Sequence, residues 1–404
     1  MLFNFNETHE EIIKLSKDFA NGILKPLSEE YDDREEFPLS LLEEYKKSGF
    51  YSILYPEEYG GINAGLTGLC LCIEELSKVD GSLALPPATS ALGAIPMILY
   101  ANEEQRKKYF PLLASGEKLA AFALTEPEAG SDATSITTQA KKEGDYYLIN
   151  GMKHFCSSGN ISDIYIIFAK TAPEKGARGI SCFAIDKNAE GFKIGKKEKK
   201  LGIKSNPTTE IFLENVRVSK NDMIGPEGFG LFVLQETFDY SRPGVAAQAI
   251  GIAEGALEIT VKYLKQRKQF GQSIISFQAV SHKIAELATK LEAAKSFLYL
   301  IVSRMDESYT QAFENAIKNQ KPLREELKKI SKERWTKYSA MIKLYASDIA
   351  FDITQECVNL CGGMGYMRSF GVEKFMRDAK VTQIYEGSNN IQKNEIALQI
   401  SKEY

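Results

Sequence analysis

Histidine is scarce: the 404 residues include three, His9, His154 and His282. They lie far apart, outside HExxH or HxxxH spacing, so a histidine-built metalloenzyme is not supported. Cysteine is thin as well. Cys70, Cys72, Cys156, Cys182, Cys357 and Cys361 form no CxxC pair and too sparse a framework for a disulfide scaffold. Reduced thiols and a cytoplasmic setting are expected. Cys70-x-Cys72 could touch a metal, but it lacks a second pair or a nearby histidine, so no metal site is expected. GxSxG, GxGxxG after a strand and GxxxxGK[ST] are all missing, which removes the signals of serine hydrolases, dinucleotide folds and P-loops. The 50 Lys+Arg against 54 Asp+Glu leave a net charge of −4, with no whole-chain case for nucleic-acid binding. No uninterrupted apolar run reaches the ~18–20 residues of a membrane span. The N-terminus shows no secretory pattern, and no 20–50-residue period recurs.

What is present is an ordinary globular composition, 44% hydrophobic and 26% charged, with length for about two or three domains. Residues 7–115 carry amphipathic helical stretches at 10–25, 41–48 and 103–113. From about 119 to 228 the apolar runs turn short and β-branched or aromatic, at 146–149, 164–168, 180–185, 209–213 and 216–218. Such runs between Gly, Asn, Asp and Lys turns predict a mainly antiparallel sheet or barrel. Helical stripes return with Val245, Ala249, Ile252, Ala256 and Ile259, then with Ile342, Ala346, Ile349 and Ile353. Pro243 is placed near the start of the first of these helices, where proline is tolerated. The charged segment 306–337, which contains Pro322, is expected to be a solvated helical excursion; its acids largely offset its lysines as a basic recognition surface.

Four clusters can carry chemistry. CGGMGY at 361–366 is either a helix stop or a close backbone approach to phosphate. ALTEPEAGSDA at 123–133 is either a polar turn or a loop gripping a polar ligand. KHFCSSG at 153–159 sets an aromatic before small hydroxyls, and QIYEGSNN at 383–390 holds one acid, Glu386, between an aromatic and a glycine.

Taken together, these clusters make the chain resemble the acyl-CoA dehydrogenase family of flavoproteins, from about residue 5 to 400. FALTEPEAGSDATS at 122–135 fits one family signature throughout, and NLCGGMGYMRSFGVEKFMRDAK at 359–380 fits another with departures at Asn359 and Ser369. PEEYGG at 56–61, FDYSRPGVAAQAIG continuing to RKQFGQ within 238–272, and QIYEGSNNIQ at 383–392 follow in the customary order. The resemblance implies an α+β multidomain fold: an N-terminal all-α domain over 1–122, a middle β-barrel domain over 123–228, and a C-terminal four-helix-bundle-like domain over 229–404. It also implies FAD, an acyl-CoA substrate, an electron-transferring flavoprotein as partner, and a homotetramer built as a dimer of dimers.

The implied reaction removes an α-proton and passes a β-hydride to the flavin, giving a 2-enoyl thioester. Glu386 matches the base; some members carry it at the position of Ser241, where serine cannot serve. A base held against apolar surroundings should have a raised pKa. Phe122, Leu124, Thr125, Ser131, Phe155 and Ser157 match flavin-side residues, Ser131 also reaching toward the substrate. Arg267, Phe270, Gln278, Asn359 and Gly363 match residues that reach a neighbouring subunit's FAD, and Ser388 and Asn390 match residues near the adenosine half. Asp239 and Arg242 match a helix-end pair near the site mouth, read equally as a structural ion pair; Tyr240, Tyr385 and Gly387 complete the substrate side. The matched acyl pocket draws on small residues: Pro87, Ala88, Thr89, Ser90, Gly244 and Val245. A short or medium, or cyclic, acyl group is expected. The alternatives are an enoyl-CoA reductase running in the reverse direction and a non-enzymatic scaffold that keeps the fold.

Overall fold

Residues 5–331 and 334–403 are described, in a computed structural model. Helix α1 (Glu7–Phe19) starts where the Asn6 side chain accepts the His9 N–H at 2.9 Å. A short π-helical stretch joins it to α2 (Lys25–Arg34). Helix α3 (Ser40–Ser48) stops at Gly49, whose φ of 74° is left-handed. Helix α4 (Gly65–Ser77) is buried nearly all round, so its first amides need protein acceptors. Asp306, remote in sequence, accepts the N–H groups of Leu66 and Thr67 at 2.8 Å each. Helices α5 (Leu85–Tyr100) and α6 (Glu103–Ala114) follow, the latter opened by an Asn102–Gln105 capping box.

Eight strands come next: β1 (Ala120–Ala123), β2 (Gln139–Glu143), β3 (Tyr146–Ser157), β4 (Ile164–Lys170), β5 (Ile180–Asp186), β6 (Phe192–Lys197), β7 (Thr208–Ser219) and β8 (Met223–Ile224). They form one sheet in the order β6-β7-β3-β2-β4-β5-β8, with β1 paired parallel to β4. Most pairings are antiparallel. Alternate side chains, including Tyr147, Ile149, Tyr165, Ile167, Phe183, Ile211 and Leu213, meet in one core inside the rolled sheet. Among the described residues the strand path ends on β6 and β8.

The remaining chain is helical: α7 (Gly230–Gln266), the small hairpin β9 (Lys268–Gln269) and β10 (Gln272–Ser273), α8 (Gln278–Lys318), α9 (Leu323–Ile330), α10 (Thr336–Cys361), α11 (Val372–Thr382) and α12 (Asn389–Glu403). By length and composition α7 could cross a bilayer, although its apolar run is interrupted; most of that stretch is buried among the other helices.

Two expectations are corrected here. Pro243 is not near a helix start but thirteen residues inside α7. An interior proline leaves the carbonyl four residues earlier without its N–H. That carbonyl belongs to Asp239, and the Ser339 hydroxyl of α10 donates to it at 2.6 Å. The 306–337 segment is not a solvated excursion either, although its residues 332–333 lie outside the described residues. Its first part continues α8, and Tyr309, Phe313, Leu323, Leu327 and Trp335 are buried. Arg106 of α6, itself buried, donates to the carbonyls of Lys321 at 2.6 Å and Ala316 at 3.3 Å, closing the end of α8.

A buried ionic knot ties the helical and sheet regions together. Lys374 of α11 lies 2.6 Å from Asp378 and 3.1 Å from Asp80, the residue between α4 and α5. Asp80 also accepts the amides of Ser82 and Leu83, and Asp378 accepts the amide of Ile203 from the segment before β7. Burial disfavours the Lys374 charge, but the two carboxylates outweigh it and hold its pKa above the ordinary lysine value. Replacing Lys374 by Met strands two buried carboxylates, so stability should fall by about 3–5 kcal/mol. The check is the denaturation midpoint, and a midpoint equal to the parent's would contradict this role.

Candidate active site

Glu386 sits in the turn between α11 and α12, and its backbone is left-handed, φ 51°, as is that of Gly387, φ 86°. The first is unfavourable for a side-chain-bearing residue and needs outside support. Gln392 supplies part of it, donating to the carbonyls of Glu386 at 3.0 Å and Gly387 at 2.8 Å. From α10, Lys343 donates to the Gly387 carbonyl and to Asn389 Oδ1, each at 2.9 Å. Asn389 in turn donates to Asp348 at 2.7 Å. Among the described residues the Glu386 N–H has no acceptor.

The Glu386 carboxyl group faces α7, where the Ser241 hydroxyl donates to its Oε2 at 2.5 Å. Desolvation raises its pKa, against the opposing pull of Ser241, Arg242 and Lys343. The raised value was expected from the sequence; its three opposing partners were not.

Asp239 and Arg242 lie within α7, not at its end, and do not form an ion pair. Asp239 accepts from Thr336 at 2.8 Å, and burial pushes its pKa up to about 7 against the pull of Thr336 and Arg242. The Arg242 guanidinium lies over the Phe238 ring, 5.4 Å from its centroid, with Nε unpartnered. The two side chains diverge because one is drawn to the start of α10 and the other covers an aromatic face. Tyr240 is buried beside Tyr309. Tyr385 donates to Gln248, which donates to the Gly81 carbonyl at 2.8 Å. Ser388 shares the Glu386 turn, and Asn390 lies exposed in the first turn of α12.

Strands β1 and β3 form the adjoining wall. Phe122 stands 5.8 Å from Phe238 between ring centroids, so the sheet region meets α7 one turn before Arg242. Leu124 is buried, and Thr125 accepts the His154 N–H at 2.7 Å, which holds the 123–133 loop against β3. Ser157 ends β3, while Ser131 is exposed on the loop. Phe155 is 57% exposed at φ 56°, its ring stacked on His154 at 3.8 Å. Beside it His154 lies 3.5 Å from Glu198 and 3.9 Å from Glu210, with Lys196 on the other oxygen of Glu198, a solvent-facing ion-pair cluster.

The small pocket residues are partly committed elsewhere. The Thr89 hydroxyl meets that of Ser158 at 2.7 Å, and Ser90 accepts the Ala120 N–H at 3.2 Å. Both tie α5 to the sheet. Val245 is buried in α7 and Gly244 faces Ile73.

Arg267, Phe270, Gln278, Asn359 and Gly363 stand apart from this wall. All are exposed, Phe270 at 93%, and a Cβ on Gly363 would meet nothing within 4 Å. Cys361 touches Thr260, which puts the ends of α7 and α10 together there. Ser241 and Arg267 are separated by 26 residues of the same helix, about 39 Å at 1.5 Å per residue. One set therefore cannot complete the other around a single small ligand within one chain.

A glutamate with a raised pKa, a free backbone N–H beside it and an aromatic wall with one exposed ring are the parts of a proton-abstracting site rather than a hydrolytic one. An exposed Phe155 ring suits a flat cofactor, and an unpartnered buried guanidinium suits an anionic group. The class so defined is an oxidoreductase.

The acyl-CoA dehydrogenase N-terminal domain family matches residues 6–117, the middle domain family 121–216 and the C-terminal domain family 228–401. The probable acyl-CoA dehydrogenase FadE25 of Mycobacterium tuberculosis is 42% identical over 97% of this chain and 95% of its own length. The caffeyl-CoA reductase-Etf complex subunit CarC of Acetobacterium woodii is 39% identical over 98% and 99%. The solved butyryl-CoA dehydrogenase of Megasphaera elsdenii superposes with a TM-score of 0.91 at 36% identity, covering 99% of this chain and all of that one. The chain belongs to the acyl-CoA dehydrogenase family, with its N-terminal, middle and C-terminal domain fold.

Lys343, Asn389 and Gln392 escaped the sequence reading. The signal for two of them was adjacency to the YEG turn, whereas nothing local marks Lys343. Glu126, read only as part of a polar cluster, is structural: Lys153 lies 2.7 Å away, and Thr137 and Thr138 donate to it. Burial raises its pKa, but Lys153 and these hydrogen bonds prevail and lower it to about 2. A depressed carboxylate stabilises the fold above its unfolded value of 4.5, and that contribution is lost as pH falls through about 2. The acid limb of stability between those values should flatten in Glu126→Gln, read by unfolding at stepped pH. An unchanged limb would mean Glu126 is not ionised in the fold.

Proposed function

We propose that the chain oxidises a short or medium, or cyclic, acyl-CoA thioester between Cα and Cβ, with Glu386 as the base. The observation that carries this reading is the Glu386 carboxyl group, the one acid held at the junction of the turn, α7 and the aromatic wall. Its ionised form accepts the α-proton. The free Glu386 N–H is available to the thioester carbonyl, where negative charge develops as that proton leaves. Bound FAD would supply the hydride acceptor; Phe122, Leu124, Thr125, Phe155, Ser157 and Ser131 would hold it, with Ser388 and Asn390 toward its far half.

The exposed set around Arg267 supports assembly. Sitting about 39 Å along α7 from Ser241, it can serve a cofactor only in another copy, consistent with a dimer of dimers. An electron-transferring flavoprotein is the proposed acceptor, in keeping with the name of the Acetobacterium relative. The same name favours a second reading, an enoyl-CoA reductase using this site in reverse. Free, buried cysteines support placing the protein in the cytoplasm.

The test is anaerobic. A panel of linear and cyclic acyl-CoA thioesters should bleach the flavin absorbance of the parent enzyme. Bleaching by none of them, with reoxidation of the reduced enzyme by enoyl-CoA thioesters, would favour the reductase. Glu386→Gln should keep its flavin and lose at least about 10²–10⁴-fold in turnover. Near-normal turnover would place the base elsewhere. Arg267→Ala should purify with less flavin, and full retention would contradict the cross-chain contact.

A further inference from the structure

Lys343 is a fully buried lysine of α10 whose ammonium group meets two neutral acceptors, the Gly387 carbonyl and Asn389 Oδ1, both at 2.9 Å. Among the described residues no carboxylate lies within 4 Å of it, in contrast to buried Lys153 and Lys374, which both sit on carboxylates. A neutral donor could clamp the turn equally well at far lower desolvation cost. Among the described residues Lys343 is buried without a carboxylate contact, and the ionisable group of the turn it grips is Glu386.

We infer that Lys343 is a positioning residue for Glu386: it pins the 386–389 turn to α10 and sets a positive charge behind the carboxylate, favouring its ionised, proton-accepting form. This rests on Glu386 being the base.

The charged groups around the pair can all be named. Glu386 comes from the turn, Arg242 from α7, and Lys343 and Asp348 from α10; Asp239 of α7 and Glu395 of α12 act on Arg242. Burial brings the Lys343 pKa down to about 7; Glu386 draws it up and Arg242 pushes it down. Lys343 and Glu386 therefore titrate together, the charge of each favouring that of the other. Arg242 acts on Glu386 in the same sense. It has no hydrogen bond to the turn, so the clamp belongs to Lys343 alone of the two cations.

The experiment compares Lys343→Gln, which keeps a donor but not the charge, with Lys343→Arg, which keeps the charge. Both are assayed as the flavin-loaded enzyme for the pH profile of kcat/KM with butyryl-CoA, with thermal midpoint and flavin content recorded at each pH. Lys343→Gln should move the acid limb up by about one pH unit, while Lys343→Arg leaves it within about 0.3 units of the parent. An unshifted limb in Lys343→Gln would overturn the inference. So would equal shifts in both variants, which would assign Lys343 a packing role only. Should Lys343→Gln lose its flavin or fold, Lys343→Arg decides: a parental limb supports the charge role and a raised one refutes it. Glu386→Gln, run alongside, separates the two readings. Residual turnover in it with a parental acid limb would remove Glu386 as the base, whereas an inactive Glu386→Gln beside an unshifted Lys343→Gln would remove only the role of Lys343.

Discussion

Burying Lys374 between Asp80 and Asp378 is the constraint on which the rest of the structure hangs. Each partner belongs to a different part of the chain, and each carboxylate holds backbone amides of its own, at Ser82 and Leu83 or at Ile203. An ion buried this deeply is tolerated only when its partners are fixed and fully hydrogen-bonded. The knot thereby sets α11 against both the α4–α5 corner and the sheet region. Helix α11 leads directly into the Glu386 turn, so the Glu386 carboxylate inherits its position from an ionic contact remote from it. A second ring of neutral contacts, from Ser241, Gln392 and Asn389, refines it locally.

In a chain with three histidines, the site shows how a glutamate is tuned by its surroundings. Desolvation raises the pKa of Glu386, which suits proton abstraction near neutral pH. Ser241 and Arg242 of α7 and Lys343 of α10 oppose that rise. The strained backbone at Glu386 fits the same logic. A left-handed residue with a side chain persists here because the surrounding turn over-determines it.

Much of this was legible from residue types. Singly, the Glu386 turn and the FALTEPEAGSD loop were weak signals; their order along the chain with the other clusters carried the family resemblance, and that resemblance supplied the role of Glu386. The three-part α, β, α texture followed from the change of hydrophobic period. What stayed hidden depended on partners distant in sequence. Pro243 looked like a helix start because a proline inside a helix frees a carbonyl, and only the fold reveals Ser339 arriving to satisfy it. The 306–337 segment looked solvated because its charges mask a narrow apolar seam of Tyr309, Phe313, Leu323 and Leu327. Nothing local marks Lys343, the residue after Ile342 of the apolar stripe, and only the turn that follows α11 reveals its partners. Asp239 and Arg242 were expected from the resemblance as a helix-end pair, read equally as a structural ion pair, but in the fold Asp239 accepts from Thr336 and Arg242 lies over Phe238.

The central claim is that one carboxylate removes the proton α to a thioester. Proton NMR of butyryl-CoA held anaerobically in D2O with the enzyme tests it without an electron acceptor. The account predicts washout of the α-proton signal with the parent and its retention with Glu386→Gln. Washout at the same rate in both would contradict it.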